Sequence, residues 1–282
     1  MTTKRTNTGT LKGLVAAGMR MHYGDKPEKE VKLRILWELK HIIDAGFVDC
    51  YVMAFWIFRH MAQSMKIGVW GRGAMPSSIV CYCLGVTEVD PIKYGLHSAR
   101  FVNENPPKFQ FDVEASRFGE FMKGAEELLA ANAKEYNIRA IRQFLFKDVK
   151  PYEYLSKKHN RPLPENIDDE LVRYALYFPQ TMDLYDVYVQ NPKSNILIYQ
   201  EQMLDILKET FHVPSIKANL IRLSIQRGET EQVEAFKKEA FDASDLPDEE
   251  KEKAWQRLIS NPRAFLKAHA VSRIMASYKY VF

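Results

Sequence analysis

Two short stretches hold the residue types from which chemistry could be built. The first is Gly71-Arg72-Gly73, which follows the apolar run Ile67–Trp70 and precedes a segment of small residues. Glycine allows close approach of the backbone to a ligand and positive φ. Arginine adds a forked, permanently charged donor. Amides at the start of a following helix would complete an anion site. The second stretch is Lys108 to Ala115, KFQFDVEA. Phe109, Phe111 and Val113 alternate with Gln110, Asp112 and Glu114, the period of a strand with one apolar face. Asp112 and Glu114 then lie side by side, as carboxylates must to hold the divalent cations of two-metal phosphoryl transfer. On spacing alone both stretches also have ordinary readings: a surface turn with one exposed arginine, and the solvated edge of a strand.

Several elements must position these residues. Residues 1–10 are polar and expected to fray. Leu11 to Tyr23 has helical spacing and stops at Gly24-Asp25-Lys26-Pro27. Glu28 to Ala45 predicts a helix with Val31, Ile35, Leu36, Leu39, Ile42 and Ile43 on one stripe, Lys and Glu outside, and Gly46 ending it. Phe47 to Trp56 reads as a buried strand running into a helix that reaches Met65, and Ile67 to Trp70 as a second strand. Ser77 to Leu84 is helix or buried strand. As a helix, it would aim its first amides back at the Gly-Arg-Gly turn. Phe118 to Lys134 predicts a helix. Phe144 to Phe146 is a short apolar run, and Asp148 could begin the turn before Pro151. Pro151 to His159 predicts a short helix, and RPLPENIDD marks the clearest boundary in the chain.

Composition narrows the class. The chain has 282 residues, 46% hydrophobic and 27% charged, enough for one large or two ordinary domains with a real core. A net charge of +4 is mildly basic and compatible with nucleic acid. Cys50, Cys81 and Cys83 lie in apolar stretches and suit buried free thiols in a reducing compartment. No signal peptide and no apolar run of roughly 18 residues is present, so no membrane partner and a cytoplasmic location are expected.

The order of these pieces resembles the C-family replicative DNA polymerases, the alpha subunit of bacterial DNA polymerase III. The matching pieces are Tyr51 to Phe58, Gly71-Arg72-Gly73, Ser78 to Tyr82, Leu84-Gly85-Val86-Thr87 and Val89-Asp90-Pro91. Further on, Tyr199-Gln200-Glu201-Gln202-Met203 is nearly identical to a segment of that family's fingers. The segment Phe265 to Phe282 is similar to a later one, with Lys267, His269, Ala270 and Tyr278 matching.

The resemblance implies an α+β fold: a nucleotidyltransferase-like palm over residues 1–160, with Phe47–Tyr51, Ile67–Trp70 and Phe109–Glu114 as neighbouring strands, and a mainly helical fingers domain over 161–282. It implies Asp112, Glu114 and Asp148 as catalytic carboxylates holding Mg²⁺ or Mn²⁺. It also implies Gly71, Arg72, Gly73, Arg222, Arg227, Lys267 and His269 as a nucleotide-binding set. Expected partners are primer-template DNA, deoxynucleoside triphosphates and other replisome or split-polymerase subunits, as a shortened, phage-type replicase would need. The sequence departs from the family at Trp70, Ala74, Phe178, Gln180, Thr181 and Leu223. The carboxylate register has three solutions. Counting from Pro107 puts Lys108 and Gln110 at the metal positions, matching the strand puts Gln110 and Asp112 there, and matching acid to acid gives Asp112 and Glu114. Two functions follow: a reduced DNA polymerase, or a catalytically inactive relative that binds DNA or replisome subunits.

Overall fold

A computed structural model describes residues 3–132, 144–149, 167–176, 182–191 and 196–279. The chain divides into two compact units, Met1–Pro162 with Val271–Phe282, and Leu163–Ala270. The fold is α+β, mostly helical with a small mixed sheet.

In the first unit, α1 (Thr3–Tyr23) and α2 (Lys29–Asp44) lead in. Helix α1 begins at Thr3, well before the expected start, and Asn7 ties this early turn down by donating to Asp49 at 2.8 Å. Helix α2 buries Val31, Ile35, Glu38, Leu39 and Ile42. The expected stripe is thus corrected at two positions: Leu36 is 64% exposed, and Glu38 is inside. The chain leaves this helix through Gly46 at φ 75, the left-handed geometry that glycine adopts without strain.

Glu38 is inside because it terminates another helix. Its carboxylate accepts from Ser78 Oγ at 2.6 Å, Ile79 N at 3.1 Å, Val80 N at 3.0 Å and Ser98 Oγ at 2.6 Å. These amides open α4 (Ile79–Cys83), with Ser78 at its N-cap. The end of α4 packs so closely on α1 that a Cβ on Gly18 would lie 1.7 Å from the Cys83 carbonyl oxygen.

Phe47–Tyr51 is not a strand. Val48–Phe58 is a helix, α3, with Cys50 to Ala54 buried without a break. An unbroken apolar run carries no period to separate strand from buried helix. With seven of its eleven residues buried, the segment favours the helix, which satisfies its own backbone. Helix α3 runs on into a π-helix, Arg59–Ser64, seen in the Met65 N to His60 carbonyl bond.

The sheet comprises β1 (Val69–Arg72), β2 (Phe109–Glu114) and β3 (Phe144–Val149), with β2 central. Strand β1 is antiparallel to β2, with Trp70 opposite Asp112 and Arg72 opposite Gln110. Strand β3 is parallel to β2, with Lys147 opposite Asp112 and Asp148 opposite Val113. A parallel return needs a crossover, and α5 (Phe118–Asn132) lies within it. The apolar face of β2 packs on Tyr51 and Phe101, whose rings lie 5.1 and 5.3 Å from Phe109. Gly71 is required by packing, since a Cβ there would fall 2.1 Å from Met75 Cε and 2.7 Å from the Val86 carbonyl oxygen.

The second unit contains α6 (Asp168–Leu176), α7 (Tyr185–Gln190), α8 (Gln200–Glu209), α9 (Ser215–Arg227), α10 (Thr230–Ala243) and α11 (Asp248–Ile259). Its core gathers Leu204, Leu207, Phe211, Ile221, Trp255 and Leu258. The last helix, α12 (Lys267–Lys279), begins in this unit, and its residues from Val271 count with the first. Pro151–His159, most of the RPLPENIDD linker and positions 178, 180 and 181 lie outside the described residues. Among the described residues no single helix is long and apolar enough to cross a membrane.

Replacing Glu38 tests the first unit's framework. Glu38→Ala strands one buried and one half-buried hydroxyl and two helix amides, so unfolding free energy should fall by about 3 kcal/mol or more. Glu38→Gln, which keeps the shape and loses the charge, should cost less. Urea denaturation reads both, and a loss below about 1 kcal/mol in Glu38→Ala would contradict the role.

Candidate functional site

The geometry converges on Asp112. It sits on the central strand, and its side chain is 3% exposed. Arg72, at the end of β1, brings Nε to 2.9 Å from Oδ1, close but not aligned as a hydrogen bond. Arg273, on α12, brings Nη1 to 2.9 Å from Oδ2. The two guanidiniums are 23% and 27% exposed, so each keeps part of its hydration while sharing one buried carboxylate. Beside Arg273, the Ser272 hydroxyl donates to the Gly71 carbonyl oxygen. Thus two consecutive residues of α12 hold two adjacent strands.

The other candidates on this sheet are placed differently. Glu114 accepts from Gly68 N at 3.2 Å through Oε2 and from the Ser116 hydroxyl through Oε1. Gln110 lies against the Gly-Arg-Gly turn: Gly73 has φ 68, and a Cβ on it would be 2.8 Å from Gln110 Oε1. Asp148 stands in register with Val113, one position out of step with Asp112 and Glu114. Among the described residues no group of three or more His, Cys, Asp or Glu side chains is placed to hold a metal ion.

The helix-terminal anion site expected behind Gly-Arg-Gly is corrected by Glu38. The first amides of α4 already bind this carboxylate from α2. The nearby thiols are not nucleophiles at neutral pH. Burial pushes Cys50 and Cys83 up to about 12 and raises Cys81 as well.

The remaining candidates belong to the second unit. Arg222 is 2% exposed, with Nε 3.1 Å from Asn219 Oδ1 and Nη1 2.7 Å from Gln226 Oε1, both on its own helix. Arg227 is exposed, 3.5 Å from Glu229. The Lys267 ammonium lies 5.9 Å over the Tyr199 ring. His269 packs near Tyr174 and Phe265, with ring separations of 6.4 and 6.0 Å. The Tyr199–Gln202 motif has a structural task. Gln202 accepts from Ile198 N and Tyr199 N, Gln200 donates to the Ala264 carbonyl, and Glu201 accepts from Lys267 N and Ala268 N.

Sequence reasoning missed Arg273, Ser272 and Glu38. Glu38 carries a faint signal, an acid at a core position of α2's period. Arg273 carries none, because the contact spans most of the chain.

The sequence model of the bacterial DNA polymerase III alpha NTPase domain matches residues 9–147. An error-prone DNA polymerase of Anaeromyxobacter sp. (strain K) is 34% identical over 116 residues, 40% of this chain and 10% of that protein. One from Cutibacterium acnes is 41% identical over 110 residues, 38% of this chain and 9% of the relative. One from Burkholderia mallei is 38% identical over 104 residues, 36% and 10% respectively. The matched part thus spans about a tenth of the length of these curated relatives. The matched segment contains the Gly-Arg-Gly turn, strands β1 and β2 and the first residues of β3, and over it this chain is similar to the bacterial DNA polymerase III alpha NTPase domain.

Proposed function

We propose that this chain is a non-catalytic C-family polymerase relative that binds DNA or replisome proteins. The observation that carries the reading is the Arg72–Asp112–Arg273 bridge. A two-metal centre needs carboxylate oxygens open to cations. Here each Asp112 oxygen already has a guanidinium at 2.9 Å, and Glu114 is engaged by Gly68 and Ser116. A divalent cation at Asp112 would be repelled by two positive charges in a site largely shielded from water. The residues present do not fit a metal pair. Their pattern agrees with the register that places Lys108 and Gln110 at the metal positions.

A second reading, a reduced DNA polymerase working with partner subunits, rests on a different observation. The left-handed turn at Gly73 lies directly beside the strand carrying Asp112. In that reading the substrates are primer-template DNA and deoxynucleoside triphosphates. Gly71, Arg72 and Gly73 meet the phosphates; the other expected nucleotide-binding residues, Arg222, Arg227, Lys267 and His269, belong to the second unit. Asp112, Glu114 and Asp148 would hold Mg²⁺ or Mn²⁺ only after Arg273 withdrew.

Two measurements separate the readings. Asp112→Asn leaves two half-buried guanidiniums without their counter-charge, and the bridge reading expects a stability loss of about 3 kcal/mol in chemical denaturation. Arg273→Ala should cost about 1.5–3 kcal/mol, the scale of a charge-assisted bond. In primer extension with Mg²⁺ or Mn²⁺ the parent chain should be silent while still shifting DNA in a gel or capturing a replisome subunit. Gln110→Asp tests the register, since activity awakened there marks a disabled relative. Template-directed extension by the parent, lost in Glu114→Gln with the fold intact, would overturn the proposal in favour of the polymerase.

A further inference from the structure

The longest acid-free stretch of the first unit carries an exposed stripe that nothing above uses. Residues 50–87 contain no Asp or Glu. Within them α3 and the π-helix after it expose Trp56, Arg59, His60 and Gln63, spaced three, four and seven apart and so on one side. Lys66, also exposed, follows at the end of the π-helix. Ile57 and Met61, on the opposite side, are fully buried and fix the helix in the core.

Three features make the stripe more than a solvated face. Trp56 is 41% exposed although it sits on a core helix. Its ring centroid is 5.1 Å from that of Phe55, and the Arg59 guanidinium lies 5.8 Å over Phe55, so the aromatic and the cation are held as one cluster. Arg59 and Lys66 have no carboxylate partner among the described residues. The backbone is also unusual, because π-helical turns are rare and concentrate at functional sites. At the far end, Arg117 donates to the Met65 and Lys66 carbonyls at 2.9 and 3.0 Å, bringing a third cation beside Lys66 while it pairs with Glu120.

We infer that this stripe binds single-stranded DNA, one base stacking on Trp56 while Arg59 and Lys66 meet consecutive phosphates. The inference rests on the DNA-binding reading above and gives it a surface. An exposed aromatic beside unpaired cations matches the chemistry of a single strand, whose bases offer open faces and whose backbone carries one charge per nucleotide. Duplex DNA presents the phosphates but hides the base faces. The stripe is about 15 Å long, enough for a few nucleotides.

Fluorescence anisotropy with a labelled oligothymidylate of about 15 nucleotides tests it on the whole chain. Trp56→Ala should weaken binding about ten- to a hundredfold, while Trp56→Phe keeps most of it. Arg59→Ala with Lys66→Ala should reduce the salt dependence of log K by about 1.4, two single-strand phosphates' worth. All of these positions are exposed, and circular dichroism should show unchanged melting. If the parent binds the oligomer and the variants bind it equally well, the inference fails and the DNA-binding reading stands. If duplex of the same length binds as tightly and loses as much in Trp56→Ala, the single-strand assignment fails. If the parent binds no DNA at all, the inference falls together with the DNA half of the proposed function.

Discussion

A carboxylate buried in the middle of a sheet has to be neutralised where it sits. Asp112 lies on the central strand, 2% exposed. Desolvating an isolated carboxylate costs several kcal/mol, and a neutral partner does not recover that. The fold brings one guanidinium from the adjacent strand and one from the C-terminal helix, each at 2.9 Å. Both arginine side chains stay partly exposed while the carboxylate between them is buried. The arrangement sets the position of Arg72, and with Ser272 on Gly71 it fixes where the end of the chain attaches to the first unit. Remove the carboxylate and two cations face each other over a strand.

Two further buried acids show the same economy of design. Glu38 closes the first two amides of α4, and Glu201 closes those of Lys267 and Ala268 at the head of α12. In each case a carboxylate from an earlier helix supplies the negative charge that a helix N-terminus favours. The consequence for function is direct. A helix start that looks in the sequence like a ready anion site is filled by the protein's own side chain, and so is not left for a phosphate.

How much of this was legible beforehand follows from physics rather than luck. Strand β2 was readable because its apolar residues alternate, and β3 because Phe144–Phe146 is an apolar lead-in bounded by charge. Helix α2 was readable from its 3.6-residue period, yet Leu36 and Glu38 were exchanged, since periodicity assigns a face by hydrophobicity and cannot see a hydrogen-bonding demand elsewhere. Val48–Phe58 reads as starting in a strand because the apolar run from Cys50 to Phe58 has no period. Asp112 could be placed on a face but its partner could not be named, for Arg273 lies 161 positions further on, by the difference of the two residue numbers. Long-range ion pairs leave no mark in local spacing.

The family motifs gain a plainer meaning from the same contacts. Tyr199–Gln202 reads as a functional signature, but Gln200 and Glu201 are taken up in holding the segment around Ala264 to Ala268, and Gln202 in holding Ile198 and Tyr199. Gly71 admits Met75 and the Val86 carbonyl, and Gly73 turns the chain against Gln110. Each is a constraint on packing that any chain with this sheet must meet, whether or not it moves phosphates. Similarity concentrated in such residues therefore speaks to a shared scaffold. Chemistry has to be judged at the positions where the scaffold leaves a choice, and at the central strand that choice is an aspartate already bound by two arginines.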